Sequence, residues 1–429
     1  MRSVTAFGNF KRHRMKTFND PQVFARVKRL PPHLAVTTER FGEGARASGV
    51  DVIDLSSAEP DGRIQDEVLL AARGALEKPR SLRSQEVRGS LLLREKAAAW
   101  FRRRHGVDLD PEREIMATRG NKEGIGHSLV ATLQEGDTVL APAPSAPVHA
   151  LGAALAGGEI LPVTVGPGID FMDSLVEASE KAERRPRGML VNFPANPTAA
   201  VATPELLHKV VRFAEARSLF ILSDLAYADL VFDGGPAPSF LSVPGARDRT
   251  LEFFSLSTSY NLCGLRVGLA AGNHALVSAL ARVRSYLDHG LPAVSQAAAA
   301  AALESGDAAP VEQCAIYRRR RDALVRHFGA AGWPVPSPSA TPFVWAPIPE
   351  PVRHLGSLEF TRRLVEEAGV LASPGLEFGA AGEGHVRLAL GEDEERIRLA
   401  AERVEPWLKK VSAEARLPHT PVPRPTERS

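Results

Sequence analysis

From Lys122 to Ala271 short apolar runs alternate with stretches of helical period. The runs are Asp137–Pro142, Glu159–Val163, Gly188–Phe193, Leu219–Ser223, Glu252–Leu256 and Val267–Ala271. The helical stretches are Lys122–Gln134, Ala146–Ala156, Pro204–Glu215 and Ala275–Leu287. Strand–helix alternation of this kind specifies an α/β unit, a mostly parallel sheet with helices on both faces. After about Leu291 the pattern changes. Helical stretches Ser295–Leu303, Ala309–Ala331, Gly356–Ala368 and Asp393–Val411 flank short strands Phe343–Ile348, Val370–Ala372 and His385–Leu390. That order predicts a smaller α+β unit.

The expected division is an N-terminal arm over 1–26, a small unit from 27–54 and 291–415, a large unit over 55–290, and a disordered Pro-rich tail over 416–429. The chain has 429 residues, 44% hydrophobic and 24% charged, which supplies two cores. A net charge of +2 gives no electrostatic case for nucleic acid or a membrane surface. No run approaches the roughly 20 apolar residues that span a bilayer. The basic segment Met1–Lys16 has no apolar signal core. It reads as a disordered or partner-contacting arm, with a transit-like reading as the alternative. Two cysteines, Cys263 and Cys314, exclude a disulfide framework and lack metal-ligand spacing. They fit a reducing compartment, read as the cytoplasm.

Several residues stand where chemistry is done. Gly120-Asn121-Lys122-Glu123-Gly124 opens a helix after a short strand, and backbone N–H groups at a helix start attract anions. The bland reading is an ordinary helix start. Asn196 lies in a Pro-fixed turn after a strand, and Asp224 ends the apolar run Leu219–Ser223. The carboxyl edge of a sheet is where open α/β folds bind ligands. A structural Asn-Pro turn and a helix cap are the alternatives. Arg266 sits between Gly264 and Gly268, a sign of close backbone approach around it. Arg387 lies inside an apolar strand, and a buried guanidinium needs a partner. That partner is a ligand carboxylate or an internal one.

Taken in order, these pieces resemble the class I/II aminotransferases, which use pyridoxal phosphate (PLP). The resemblance runs from about Val27 to Leu408. Arg29-Leu30-Pro31-Pro32 and Asp224-Leu225-Ala226-Tyr227-Ala228-Asp229 are most similar to the alanine and LL-diaminopimelate branch. It implies the PLP-transferase fold, a homodimer, a biosynthetic role and a small amino-acid or carboxylate substrate. It implies no metal. It places the cofactor phosphate at Asn121, Lys122, Ser255, Ser257 and Arg266, with forked donors from the arginine. Asp224 would pair with the ring nitrogen and keep it protonated. Asn196 and Tyr227 would hydrogen-bond the phenolate oxygen, and Arg387 would grip the substrate carboxylate, bordered by Ala58 and Asn196.

The same resemblance exposes departures. In Phe254-Ser255-Leu256-Ser257-Thr258-Ser259-Tyr260-Asn261, Thr258 takes the position of the lysine that carries the cofactor as a Schiff base. A hydroxyl cannot make that imine. Ala146 takes the place of a tyrosine that stacks on the ring, forgoing roughly 0.5–1.5 kcal/mol. Ser84 takes the place of a tyrosine that reaches the neighbouring subunit, and Glu59 adds a carboxylate at the substrate border. No lysine lies between Lys209 and Lys409. His127 and His149 are candidate bases. The expectation is PLP or pyridoxamine phosphate bound without a covalent link, and transamination impaired or replaced by other chemistry. The alternatives are a non-catalytic partner subunit of an intact homologue, and a pocket reassigned to cofactor-free chemistry.

Overall fold

In a computed structural model, residues 24–30 and 33–415 are described. Most of the expected arm, the tail 416–429, and Pro31 and Pro32 lie outside them. Strand β1 (Ile53–Leu55) enters one sheet; β2 (Ile115–Thr118), β3 (Thr138–Ala143), β4 (Glu159–Thr164), β5 (Gly188–Asn192), β6 (Phe220–Asp224), β7 (Thr250–Ser255) and β8 (Gly268–Gly272) form another. The seven-stranded order is β2-β8-β7-β6-β5-β3-β4. Only β8 runs antiparallel to its neighbours; the other pairings are parallel. Strands β9 (Phe343–Pro347), β10 (Val370–Pro374) and β11 (His385–Ala389) complete the four-stranded sheet β1-β10-β11-β9.

The apolar runs are strands buried on both faces, and their period of two divides the core. Met189, Val191 and Ile221 point to one face, against Leu207, Val210 and Val211 of the helix Pro204–Ala216. Leu190 and Leu222 point to the other, against Ile125 and Leu129 of the helix Gly120–Thr132. Side-chain caps fix the helix starts. The Thr203 hydroxyl accepts from the Leu206 amide with Pro204 at the first turn, and Asn273 accepts from the amides of Ala275 and Leu276. The expected and observed elements of this region differ by a residue or two at their ends.

One expected assignment changes. The helix Ala293–Glu304, read as part of the smaller unit, buries Ala298, Ala299, Ala302 and Leu303 with Trp100, Ile115 and Phe254, against the large sheet. The change of core comes later, along the helix Ala308–Ala330. Its Ala309 joins the large-sheet cluster, while Tyr317, Leu324 and Phe328 join the cluster on the four-stranded sheet. An alanine-rich helix carries a weak signature of the sheet it faces, so the sequence pattern placed this boundary too early.

The four-stranded sheet is covered by the helices Gly356–Ala368 and Glu394–Ala415. Gly369, at φ 68°, ends the first of these in a left-handed turn. Phe360 is fully buried there, edge-on to Trp333 and Trp407 at 5.4 Å each. Phe360→Ala is expected to cost about 3–5 kcal/mol of stability. Urea denaturation followed by tryptophan fluorescence measures it; a loss below about 1 kcal/mol contradicts this packing.

Candidate active site

The parallel strands β5, β6 and β7 end side by side, with Asn192 paired in register to Asp224 and Asp224 to Phe253. A cavity of about 410 Å³ opens at this carboxyl edge and is closed on its other side by β9, β10 and β11. Ala58, Asn121, Lys122, Ala146, Asn196, Asp224, Tyr227, Ser255, Ser257, Thr258, Arg266 and Arg387 all line it. Of these twelve, Ala58 and Arg387 are the most distant pair in sequence, 329 positions apart.

One end suits an anion. The helix Gly120–Thr132 points its N-terminus there, with Asn121 and Lys122 in the first turn. Gly120 has φ +75°, and a Cβ on it would lie 2.9 Å from Arg266 Nη2. Arg266 itself adopts φ 53°, a left-handed conformation uncommon outside glycine. Of its flanking glycines only Gly268 is crowded; a Cβ there meets Thr118 Oγ1 at 2.9 Å, whereas Gly264 faces open space. The expected close approach therefore holds on one side of Arg266. Ser255 ends β7 and caps the one-turn helix Leu256–Ser259 by accepting from the Ser257 amide at 3.2 Å. That cap ends the strand one residue before the expected Leu256. The Ser257 hydroxyl is buried with no partner among the described residues.

In the middle stands Asp224. Its carboxylate accepts from Asn121 Nδ2 at 2.8 Å, from the Ala226 amide at 3.2 Å and from His149 Nε2 at 3.0 Å. A carboxylate only accepts, so the His149 proton sits on Nε2 in this contact. Asp224 thus closes its own turn, with no helix after it to cap as the bland reading expected, and also faces the cavity. The Tyr227 phenol interacts with Asn196, and burial pushes its pKa well above the usual range. Thr258 lies on the one-turn helix and Ala146 just before the helix Pro147–Ala156.

The far end is built around Arg387. Strand alternation turns Val386 and Leu388 into the core of the smaller sheet, which turns Arg387 toward the cavity. Its Nη1 donates to Asn196 Oδ1 at 3.1 Å, and its Nη2 to Ser56 O at 2.8 Å and Ser373 Oγ at 3.2 Å. Phe343 and Phe378 flank the guanidinium at 4.2 and 4.8 Å. Among the described residues no carboxylate oxygen comes within ion-pair distance of it, so the internal ion pair weighed from sequence is not formed. Nε has no partner there either.

Some expectations fall elsewhere. His127 does not line the cavity; it pairs with Glu123 at 3.0 Å and lies 3.6 Å from Asp288. Glu123 and Asp288 are also held by Arg284 and Arg119, an ion-pair network. His149 is fully buried behind Asp224 and does not line the cavity. Neither histidine is placed as a base. Ser84 is exposed and outside the cavity, while Glu59 lines it as expected. Sequence reading missed Glu39, Cys263, Phe343, Ser373 and Glu377, all of which line the cavity. A charge inside the Gly- and Pro-rich turn Ser373–Gly379 was the one available signal for Glu377.

The family description "Aminotransferase class I and II" matches residues 50–404. The chain belongs to that family. It is 44% identical to the glutamate-pyruvate aminotransferase AlaC of Escherichia coli, over 88% of this chain and 92% of that one. It is 40% identical to an LL-diaminopimelate aminotransferase of Desulforudis audaxviator, over 90% and 98%. A double mutant of Thermus thermophilus aspartate aminotransferase superposes with a TM-score of 0.81 at 30% identity, over 89% and 98%. The fold is that of the PLP-dependent transferases, and PLP is the cofactor of the family. No helix among the described residues is long and apolar enough to cross a membrane.

The residues present fit that cofactor by their chemistry. A helix N-terminus, an arginine, a lysine and an unpartnered serine hydroxyl meet at one end, with a buried carboxylate beyond them. Burial also pushes up the phenols of Tyr260 and Tyr317. At least three of the four tyrosines should therefore stay protonated at pH 11 in the native protein, as read by ultraviolet difference absorbance. Two or more ionising below that pH contradicts the burial of these phenols.

Proposed function

We propose that this protein binds PLP or pyridoxamine phosphate non-covalently, together with an amino-acid or carboxylate substrate, and that ordinary transamination is impaired. What supports this reading is a cavity with an anion end, a central carboxylate and a guanidinium without a carboxylate partner among the described residues, lined also by Thr258, which we read as standing at the family's lysine position. Lys122 is the only lysine among the described lining residues, and it sits in the first turn of the helix at the anion end.

When bound, the cofactor supplies an electron-poor ring. Arg266, Lys122, Ser255, Ser257 and the amides at Asn121 hold its phosphate. Asp224 keeps a proton on the ring nitrogen, with Asn121 and His149 fixing the carboxylate. Asn196 and Tyr227 donate to the phenolate oxygen. Arg387 takes the substrate carboxylate through Nε and the remaining Nη1 hydrogen. Thr258 cannot form the covalent link, and its hydroxyl is a weak base. A positioned base contributes roughly 10²–10⁴-fold, so transamination slower by at least that factor is expected.

The visible spectrum tests this reading. Wild-type protein titrated with PLP should show a bound chromophore that gel filtration removes. Thr258→Lys should add a stable visible band that survives the column. No bound chromophore in the wild type, with or without amino acids, overturns the proposal.

A homodimer in the cytoplasm completes the reading, both cysteines being free. Leu70, Leu76, Leu82 and Leu92 expose 57–81% of their surface on successive segments, and Tyr286 and Leu287 expose 81% and 61%. Gly290 lies against the Gln85 and Glu86 carbonyls, so the segment that carries Tyr286 and Leu287 approaches the one that follows Leu82. Exposed apolar side chains of this size suit an interface. Sedimentation should give a dimer, and Leu82→Glu a shift toward monomer. A monomeric wild type at micromolar concentration contradicts it. Co-purification with an intact homologue would favour the partner-subunit reading instead.

A further inference from the structure

Glu377 has no role in the site as assembled so far. It lies on the short turn Gly375–Phe378, one residue before the Phe378 ring that flanks Arg387. It lines the main cavity and also an adjoining cavity of about 350 Å³, whose other walls include Leu34, Pro147, Ala150 and Phe378. Its Oε2 is buried with no hydrogen-bond partner among the described residues. Nor does any lysine or arginine among them come within ion-pair distance of it. Arg387 lies within electrostatic reach, but both its Nη groups already donate to Asn196, Ser56 and Ser373. Lys122 and His33 also act on it from a distance, while Glu39, on the helix Leu34–Ala47 across the cavity, opposes it. Burial accordingly raises its pKa despite the nearby cations.

An unpaired carboxylate oxygen in a cavity wall is destabilising until a donor meets it. A substrate whose carboxylate sits on Arg387 projects its side chain within the same enclosed space. A second carboxylate there would face Glu377 and Glu39 together. An apolar side chain would leave Glu377 unpaired. A terminal ammonium or guanidinium satisfies it, and the apolar wall of the adjoining cavity suits the methylene stem that carries such a group.

We propose that Glu377 is a specificity-determining residue that receives the cationic end of the side chain, so that the substrate is an amino acid with a basic side chain. This rests on the reading of the cavity as an amino-acid site held by Arg387. Calorimetric titration of the purified, PLP-free protein with L-lysine, L-norleucine and L-glutamate tests it, because binding is read without turnover. The wild type should bind lysine at least ten-fold more tightly than norleucine, and glutamate most weakly. In Glu377→Gln, checked for an unchanged melting temperature, the lysine-to-norleucine ratio should fall to within about two-fold while norleucine affinity is kept. Equal binding of lysine and norleucine by the wild type overturns the proposal and leaves the amino-acid site standing. So does a preference that survives in Glu377→Gln. If none of the three binds, or if Arg387→Ala leaves their affinities unchanged, the amino-acid site itself is wrong and the assignment of Glu377 falls with it.

Discussion

The buried carboxylate of Asp224 ties the large unit together at the point where a ligand would enter. It stands at the end of the central strand β6 and is held by Asn121 from one helix, by His149 from a second and by the Ala226 amide of its own turn. Each of these contacts neutralises part of the cost of burying a charge. Each also fixes an element that carries another part of the cavity. Asn121 positions the helix whose N-terminus serves the anion end. His149 positions the helix that begins beside Ala146. Asn192, paired in register with Asp224, donates to its backbone carbonyl and accepts from the Asn196 amide, which links the Asn-Pro turn to the same point.

Arg387 does the corresponding work from the smaller sheet. Its donors reach Asn196 on the large unit and Ser56 near β1, so one guanidinium spans three chain segments. The groups held around Asp224 and Arg387 are those expected to recognise a cofactor and a carboxylate. Thr258 and Ala146, read from the sequence resemblance as departures, line the same cavity. The function proposed here rests on a pocket that holds these groups and has Lys122, at the anion end, as the only lysine among its described lining residues. Glu377 adds a charge of its own to that pocket.

Much of this was legible beforehand, because the relevant signals are local. The apolar runs of the large sheet, the helix opened by Gly120, the Asn-Pro turn and the Gly-flanked Arg266 are each written in a few consecutive residues. What misled was also local. Gly264 and Gly268 each lie two residues from Arg266, yet only Gly268 meets Thr118 and Asn121. His127 and His149 both lie on helices after recognised turns. One joins an ion-pair network with Glu123 and Asp288, the other disappears behind Asp224. The alanine-rich helix Ala293–Glu304 followed the large sheet because its small side chains pack closely on Trp100 and its neighbours.

By itself, then, the sequence determined the fold class, the family and part of the set of side chains that share the cavity. Periodicity and turn chemistry act over a few residues, and the family motifs recur in order along the chain. Only the tertiary structure decided which charges are paired. It gave Asp224 three donors and, among the described residues, left Arg387 without a carboxylate partner and Glu377 with an orphaned oxygen. Pairing is set by distances between segments hundreds of residues apart, and a pattern read along the chain carries no measure of those distances.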